Sequence, residues 1–199
     1  MWTLGLTGSI ATGKSTVRQM FEDLGVPTFS SDDAVHELYR GAAVAPVEAL
    51  FPGVTNNGII DRAELSKHVL GHPDRLKALE TVVHPLVRER IAQFLRDAGS
   101  TGAKLALVDI PLLFESGHDY GLDLVAVTAA EPEIYRKRAL ARPGMTVEKL
   151  DAILARQMPQ DEKMQRADYV IRTDTSLAET RAAVKAIVDD LTANPKPLH

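Results

Sequence analysis

One run of eight residues has the residue types and spacing for phosphate chemistry: Gly8-Ser9-Ile10-Ala11-Thr12-Gly13-Lys14-Ser15. It matches the pattern G-x-x-x-x-G-K-[ST]. Two glycines at that spacing let the main chain curl so that successive N–H groups point inward around phosphate oxygens. A helix opening at Lys14 adds the positive end of its dipole. Lys14 carries a point charge able to reach the β- and γ-phosphates of a nucleoside triphosphate. Ser15 offers a hydroxyl to magnesium, and Thr16 can support a nearby phosphate. ATP and Mg2+ are therefore the cofactors the motif asks for. A guanine-nucleotide switch is excluded, because neither D-x-x-G nor N-K-x-D occurs anywhere in the chain.

Phosphoryl transfer to a hydroxyl needs a carboxylate near the acceptor, a pocket for the acceptor and a cationic lid. Asp32 follows the second expected strand, at the carboxyl edge of a sheet where ligands bind in such folds. It can orient the hydroxyl, take its proton or help hold magnesium; alternatively, with Asp33, it favours a helix N-terminus. Asp109 ends the apolar run Leu105–Ile110 and has the position of a Walker-B acid, held either by magnesium or by capping the following turn. The stretch 131–166 is rich in arginine and lysine. Most of these side chains form a solvated helix face, but Arg142 sits beside the Arg142-Pro143-Gly144 turn and is the candidate to balance charge in transfer.

The elements that must position these residues follow from periodicity. Trp2–Thr7 reads as a buried strand. Val17, Met20, Phe21 and Leu24 share one helical face, and Gly25 stops that helix. Val26–Phe29 is a second strand, with a helix from about Asp32 to Tyr39. No strand is expected between Gly41 and Gly102. There, Asp61 with Glu64 resembles a capping box, and a helix over about Asp74–Ala98 is expected to break or kink at Pro85. Leu105–Ile110, Leu124–Thr128 and Tyr169–Ile171 are strands, and Leu177–Leu191 is a closing amphipathic helix. Pro195 and Pro197 predict a frayed tail. Strands alternating with helices give an α/β fold, a parallel β-sheet flanked by helices.

The 199 residues suit one large domain or a domain with an insertion. Net charge is −4, so there is no general attraction for a phosphate polymer and no nucleic-acid partner is expected. There is no cysteine, which excludes disulfides and thiolate chemistry and fits a cytoplasmic protein. No signal peptide and no membrane span is expected. No long heptad or apolar stripe stands out, so a monomer or weak homo-oligomer is expected.

The runs LTGSIATGKSTV, FSSDDAVHEL, VVHPLVR, VDIPLLFESG, LARPGMT, ARQMP and ADYVI, in this order, resemble the dephospho-CoA kinase family. The P-L-L-F-E run and the His-Pro pair are more family-specific than the phosphate loop. The resemblance implies a P-loop NTPase core and ATP-dependent phosphorylation of the ribose 3′-hydroxyl of dephospho-CoA, the last step of coenzyme A synthesis. It implies a nucleotide core over 1–40, 103–130 and 167–199, a helical CoA-binding insertion over 41–102 and a lid over 131–166. Asp32 matches the family's base, and Ala11–Thr16 its ATP-binding stretch. His84, Pro85 and Arg88, with Pro111, Leu112, Leu113, Phe114 and Glu115, match segments near the acceptor. Arg138 and Arg142 match lid arginines, Arg138 toward the nucleotide. Gln157 matches a patterned glutamine to which the sequence assigns no role.

Three departures bear on chemistry. Ser30-Ser31-Asp32 replaces D-A-D, so the demand on Asp32 rises. Ser9 and Ala11 replace two loop glycines. Arg172-Thr173-Asp174 stands where an asparagine before an acid is usual. Without the resemblance, Pro111–Phe114 reads as core at a strand end, and His84 as a surface residue at a helix kink. Another small-metabolite kinase and a non-enzymatic ATP-binding regulatory module are the two rival readings.

Overall fold

The computed structural model describes residues 1–194 and 196; the tail expected at Pro195 and Pro197 lies outside the described residues apart from Lys196. The central feature is a five-stranded sheet in the order β2-β5-β1-β6-β7. Its strands are β1 (Trp2–Gly8), β2 (Thr28–Ser30), β5 (Leu105–Asp109), β6 (Leu124–Ala129) and β7 (Tyr169–Arg172). β1 runs parallel to both neighbours, with Leu6 beside Asp109 and Gly8 beside Thr128. β6 and β7 are also parallel. All five residues of β5 are buried, as its unbroken apolar run requires in a sheet covered on both faces. The expected parallel α/β sheet is therefore present.

β1 divides its side chains between two faces. Leu4 and Leu6 enter a core with Val17, Met20 and Phe21 of α1 (Lys14–Asp23) and Val184, Ile187 and Leu191 of α9 (Leu177–Ala193). On the other face, a Cβ on Gly5 would stand 2.9 Å from Leu122 and 3.1 Å from Leu113. Gly25, at φ +78°, stops α1: its N–H bonds the Glu22 carbonyl and the Val26 N–H bonds that of Phe21, a Schellman closure. A full capping box, Ser176 with Glu179, opens α9.

The chain divides into two compact units, residues 1–29 with 95–199, and residues 30–94. The second holds α2 (Ser31–Leu38), α3 (Val44–Leu50), α4 (Arg62–Val69) and most of α5 (Pro73–Ser100). Three local expectations are corrected within it. A two-stranded hairpin, β3 (Thr55–Asn56) with β4 (Ile59–Ile60), occupies a stretch expected to lack strands. Its turn is Asn57-Gly58, both at positive φ (51° and 75°), the type I′ geometry that Asn-Gly favours. Of the break or kink expected at Pro85, the break is absent: α5 runs continuously over 28 residues with Pro85 inside it. Pro85 is exposed, so water can reach the carbonyl its missing N–H leaves unbonded. Finally, Asp61 caps α4 through the N–H groups of Ala63 and Glu64, but the Glu64 carboxylate bonds Lys67 at 2.6 Å. The reciprocal half of the capping box is missing.

The stretch 131–166 forms α6 (Pro132–Leu140), α7 (Val147–Leu154) and α8 (Gln160–Arg166). No helix among the described residues is long and apolar enough to cross a membrane.

Candidate active site

The loop after β1 is held from behind by hydroxyls. Thr12 Oγ1 lies 2.8 Å from the Ser9 carbonyl and 2.8 Å from Thr128 Oγ1 on β6. Thr173, just past β7, donates from Oγ1 to the Thr12 carbonyl at 2.8 Å. The two glycines serve different ends. Gly13 adopts φ +83°, which a side chain disfavours. Gly8 is needed for close approach: a Cβ there would stand 2.1 Å from Thr128 Oγ1 and 2.7 Å from Thr12 Oγ1.

These tethers leave the front of the loop for a ligand. The first i→i−4 bond of α1 runs from Val17 N–H to the Gly13 carbonyl, at 3.1 Å, and Gly13 supplies no side-chain cap. The N–H groups of Lys14, Ser15 and Thr16 therefore have no intrahelical acceptor and stand at the positive helix end, where an anion could be held. Ser15 and Thr16 are exposed.

Ala11 takes φ +61°, a left-handed conformation that costs a non-glycine residue about 1–2 kcal/mol. Its methyl is buried with Ala139 of α6 and Leu150 of α7, beside Ile10, Met145 and Leu154. Alanine in place of the usual glycine thus packs the loop onto the helices of 131–166, which offsets part of the strain.

Lys14 reaches across to Asp109, the last residue of β5, and the two side chains form an ion pair. The Asp109 carboxylate is buried, and Arg18 Nε of α1 lies 3.8 Å from its Oδ2. The topology explains the meeting: β5 and β1 are adjacent and parallel, so both expose their carboxyl ends on one edge. The Ser15 hydroxyl and the Asp109 carboxylate are hard oxygen donors. They suit Mg2+, which takes one or two protein ligands and completes its shell with phosphate and water. Among the described residues no cluster of three or more His, Asp or Glu forms an all-protein metal cage.

Of the arginines, Arg138 donates to the Thr173 carbonyl at 2.7 Å and to Thr173 Oγ1 at 3.2 Å. It thereby touches the residue that holds the loop. Arg142 is exposed in the turn between α6 and α7. Arg172 pairs with Asp174 and Glu131, at 2.5 Å each, and Asp174 Oδ2 accepts the Glu131 N–H at 2.9 Å. Burial pushes the Asp174 carboxyl up, but the Arg172 and Glu131 hydrogen bonds outweigh it and hold the pKa below the ordinary value.

The P-L-L-F-E run splits in two. Leu113 is buried against β1 and is core, whereas Leu112 is 46% exposed. The Pro111 carbonyl accepts from Thr7 Oγ1 at 3.1 Å, and Phe114 is half-buried. Glu115 Oε1 accepts the Met158 N–H at 2.8 Å and stands 2.7 Å from Nζ of the fully buried Lys163. The Lys163 contact meets ion-pair distance but not hydrogen-bond geometry, and the other Glu115 oxygen is buried without a hydrogen-bond partner among the described residues. Sequence reasoning gave no role to Lys163, Thr173 or Gln157. The Gln157 side chain, 147 residues from the loop, accepts the Ile10 N–H at 3.0 Å.

In the helical unit, Asp32 lies in the first turn of α2 and is exposed. The cap is Ser30, whose Oγ accepts the Asp33 N–H at 3.1 Å, so Asp32 is not needed for capping. α2 is tied within its unit by Glu37–Arg90, at 3.7 Å, and by a contact between His36 and Arg62. His84 and Arg88 are half-buried on α5. A cavity of about 440 Å³ in this unit is lined by Phe51, His68, Asp74 and Arg75 among others, and contains none of these candidates.

Comparison with known proteins places the chain. A family model described as Dephospho-CoA kinase matches residues 2–179. The dephospho-CoA kinase of Rhizobium meliloti is 52% identical over 193 residues, covering 97% of this chain and all of that protein. Among solved structures, a Thermus thermophilus protein superposes with a TM-score of 0.81 at 36% identity, covering 96% of this chain and 98% of its own. Dephospho-CoA kinase from Campylobacter jejuni gives 0.69 at 25% identity, with the same coverage. With its phosphate loop, parallel sheet and near full-length match, the chain belongs to the dephospho-CoA kinase family.

Proposed function

We propose that this chain transfers the γ-phosphoryl group of ATP to the ribose 3′-hydroxyl of dephospho-CoA, giving coenzyme A and ADP. The observation that carries the reading is the free first turn of α1, set beside the Lys14–Asp109 pair, in a chain of this family. Lys14 neutralises buried Asp109. With nucleotide bound, the Lys14 ammonium would serve the β- and γ-phosphates, which would free the Asp109 carboxylate as an oxygen donor. Ser15 and Asp109 would hold magnesium, which would supply positive charge to the transferring phosphate.

The acceptor oxygen forms a bond to the γ-phosphorus as the bond to the β–γ bridging oxygen breaks, and ADP leaves. Asp32 orients the hydroxyl and accepts its proton. Arg142, in its exposed turn, balances charge on the transferring group, and Arg138 supports the nucleotide side. The transition state is largely dissociative, so positioning and electrostatics carry more of the rate than proton removal. His84 and Arg88 of the helical unit 30–94 are proposed acceptor-binding residues, and so, in their own unit, are Leu112 and Phe114. α6–α8 form the proposed lid. A small-molecule acceptor with ATP as donor fits a cytoplasmic enzyme acting as a monomer or weak homo-oligomer.

An acceptor screen tests this reading. With ATP and magnesium, ADP formation should depend on dephospho-CoA and should not occur with nucleoside monophosphates or simple sugars. Preference for one of those acceptors would replace the reading with another small-metabolite kinase. ATP binding with no acceptor-dependent turnover would leave only a binding module.

A further inference from the structure

The geometry points to Gln157 as a positioning residue for the donor nucleotide: its side chain holds the phosphate loop in its working shape from the base of the lid. This inference rests on the reading of the loop as an ATP site. Two observations combine. The Ile10 N–H, one peptide before the left-handed Ala11, is taken by Gln157 Oε1 at 3.0 Å. A loop turned through a conformation that alanine disfavours needs an external hold on the adjacent peptide, and Gln157 supplies it.

Gln157 is itself fixed on both sides. Its own N–H bonds the Leu154 carbonyl at 3.1 Å, at the end of α7. The next residue, Met158, donates its N–H to Glu115, whose carboxylate faces fully buried Lys163 of α8. Glu115 in turn lies six residues past Asp109, on the segment leaving β5. The path from Lys163 through Glu115, Met158 and Gln157 to Ile10 therefore ties the strand end, the lid base and the phosphate cradle into one frame. Any displacement at the base of 131–166 is felt at the Ile10–Ala11 peptide.

Gln157 is half-buried and touches no reacting atom, so its effect should fall on nucleotide binding and not on the acceptor. Gln157→Met keeps the side-chain volume and removes the acceptor oxygen. Binding of a non-hydrolysable ATP analogue with magnesium, measured by calorimetry, should weaken about five- to tenfold, the equivalent of one net hydrogen bond. Amide exchange at Ile10 should speed up while the melting temperature stays within a few degrees. In turnover, KM for ATP should rise by a similar factor, with KM for the acceptor unchanged within about twofold. Unchanged analogue affinity in Gln157→Met, or a variant that fails to fold, would overturn the inference. Wild-type protein that binds no analogue would overturn the nucleotide reading itself, and this inference with it.

Discussion

The phosphate loop and the helical unit solve opposite problems. The loop would recognise a group common to all nucleotides, and would do so with main-chain N–H groups that any sequence possesses. Part of it packs backward: the Thr12 side chain and the Gly8 main chain against Thr128, and the Ala11 methyl into Ala139 and Leu150. The helical unit would recognise one particular acceptor, so its chemistry must rest on side chains such as Asp32, His84 and Arg88. Asp32 is exposed, and its helix is anchored through other residues. On the proposed reading, generic recognition would be built into backbone shape, whereas specific recognition would be carried by side chains standing on a scaffold.

That contrast can be broken most severely at Lys14, the one forward-facing side chain of the loop with a charge. Loss of a single preorganised donor costs about 10²–10³ in rate. Lys14→Ala, which serves two phosphates, should lower kcat/KM by about 10³ or more. Arg18 remains near Asp109, so a circular-dichroism melt should still show a folded protein. Asp32→Asn probes the other region. It should reduce kcat on the order of 10²-fold, the low end for a general base, with nucleotide affinity unchanged. An unaltered kcat would remove Asp32 from the mechanism.

Gly8→Ala sharpens the claim that part of the loop packs backward. The new methyl would overlap Thr128 Oγ1 and Thr12 Oγ1, costing about 1–3 kcal/mol of stability and raising KM for ATP. Ser15→Ala, on the ligand side, should leave the melting temperature unchanged. The smallest effect is expected at Asp174, the residue that ties β7 to the start of α6. Its folded pKa is depressed, so its contribution is present above the unfolded value of about 3.9 and lost as pH falls through the folded value. Asp174→Asn should therefore flatten the acid limb of stability below about pH 4; identical acid melts would refute that role.

The same contrast decides what could be read from residues alone. The loop was legible because a main-chain cradle demands glycines and lysine at fixed spacing over eight positions. The sheet was legible because LALVD buried on two faces has no polar alternation. The hairpin at Asn57-Gly58 carried a readable signal, a positive-φ pair, hidden by strands of only two residues each. Pro85 does not end its helix, because a proline on an exposed face can remain within one. Gln157, Lys163 and Thr173 were not legible in structural terms. Each acts through a contact across dozens to more than a hundred residues, and no local period records such a partner.

The central claim is tested most directly by stoichiometry. Wild-type protein with ATP, magnesium and dephospho-CoA should yield ADP and coenzyme A in equal amounts by chromatography, and Lys14→Ala should yield neither above background. ADP formed without coenzyme A, or coenzyme A formed undiminished by Lys14→Ala, would contradict the account.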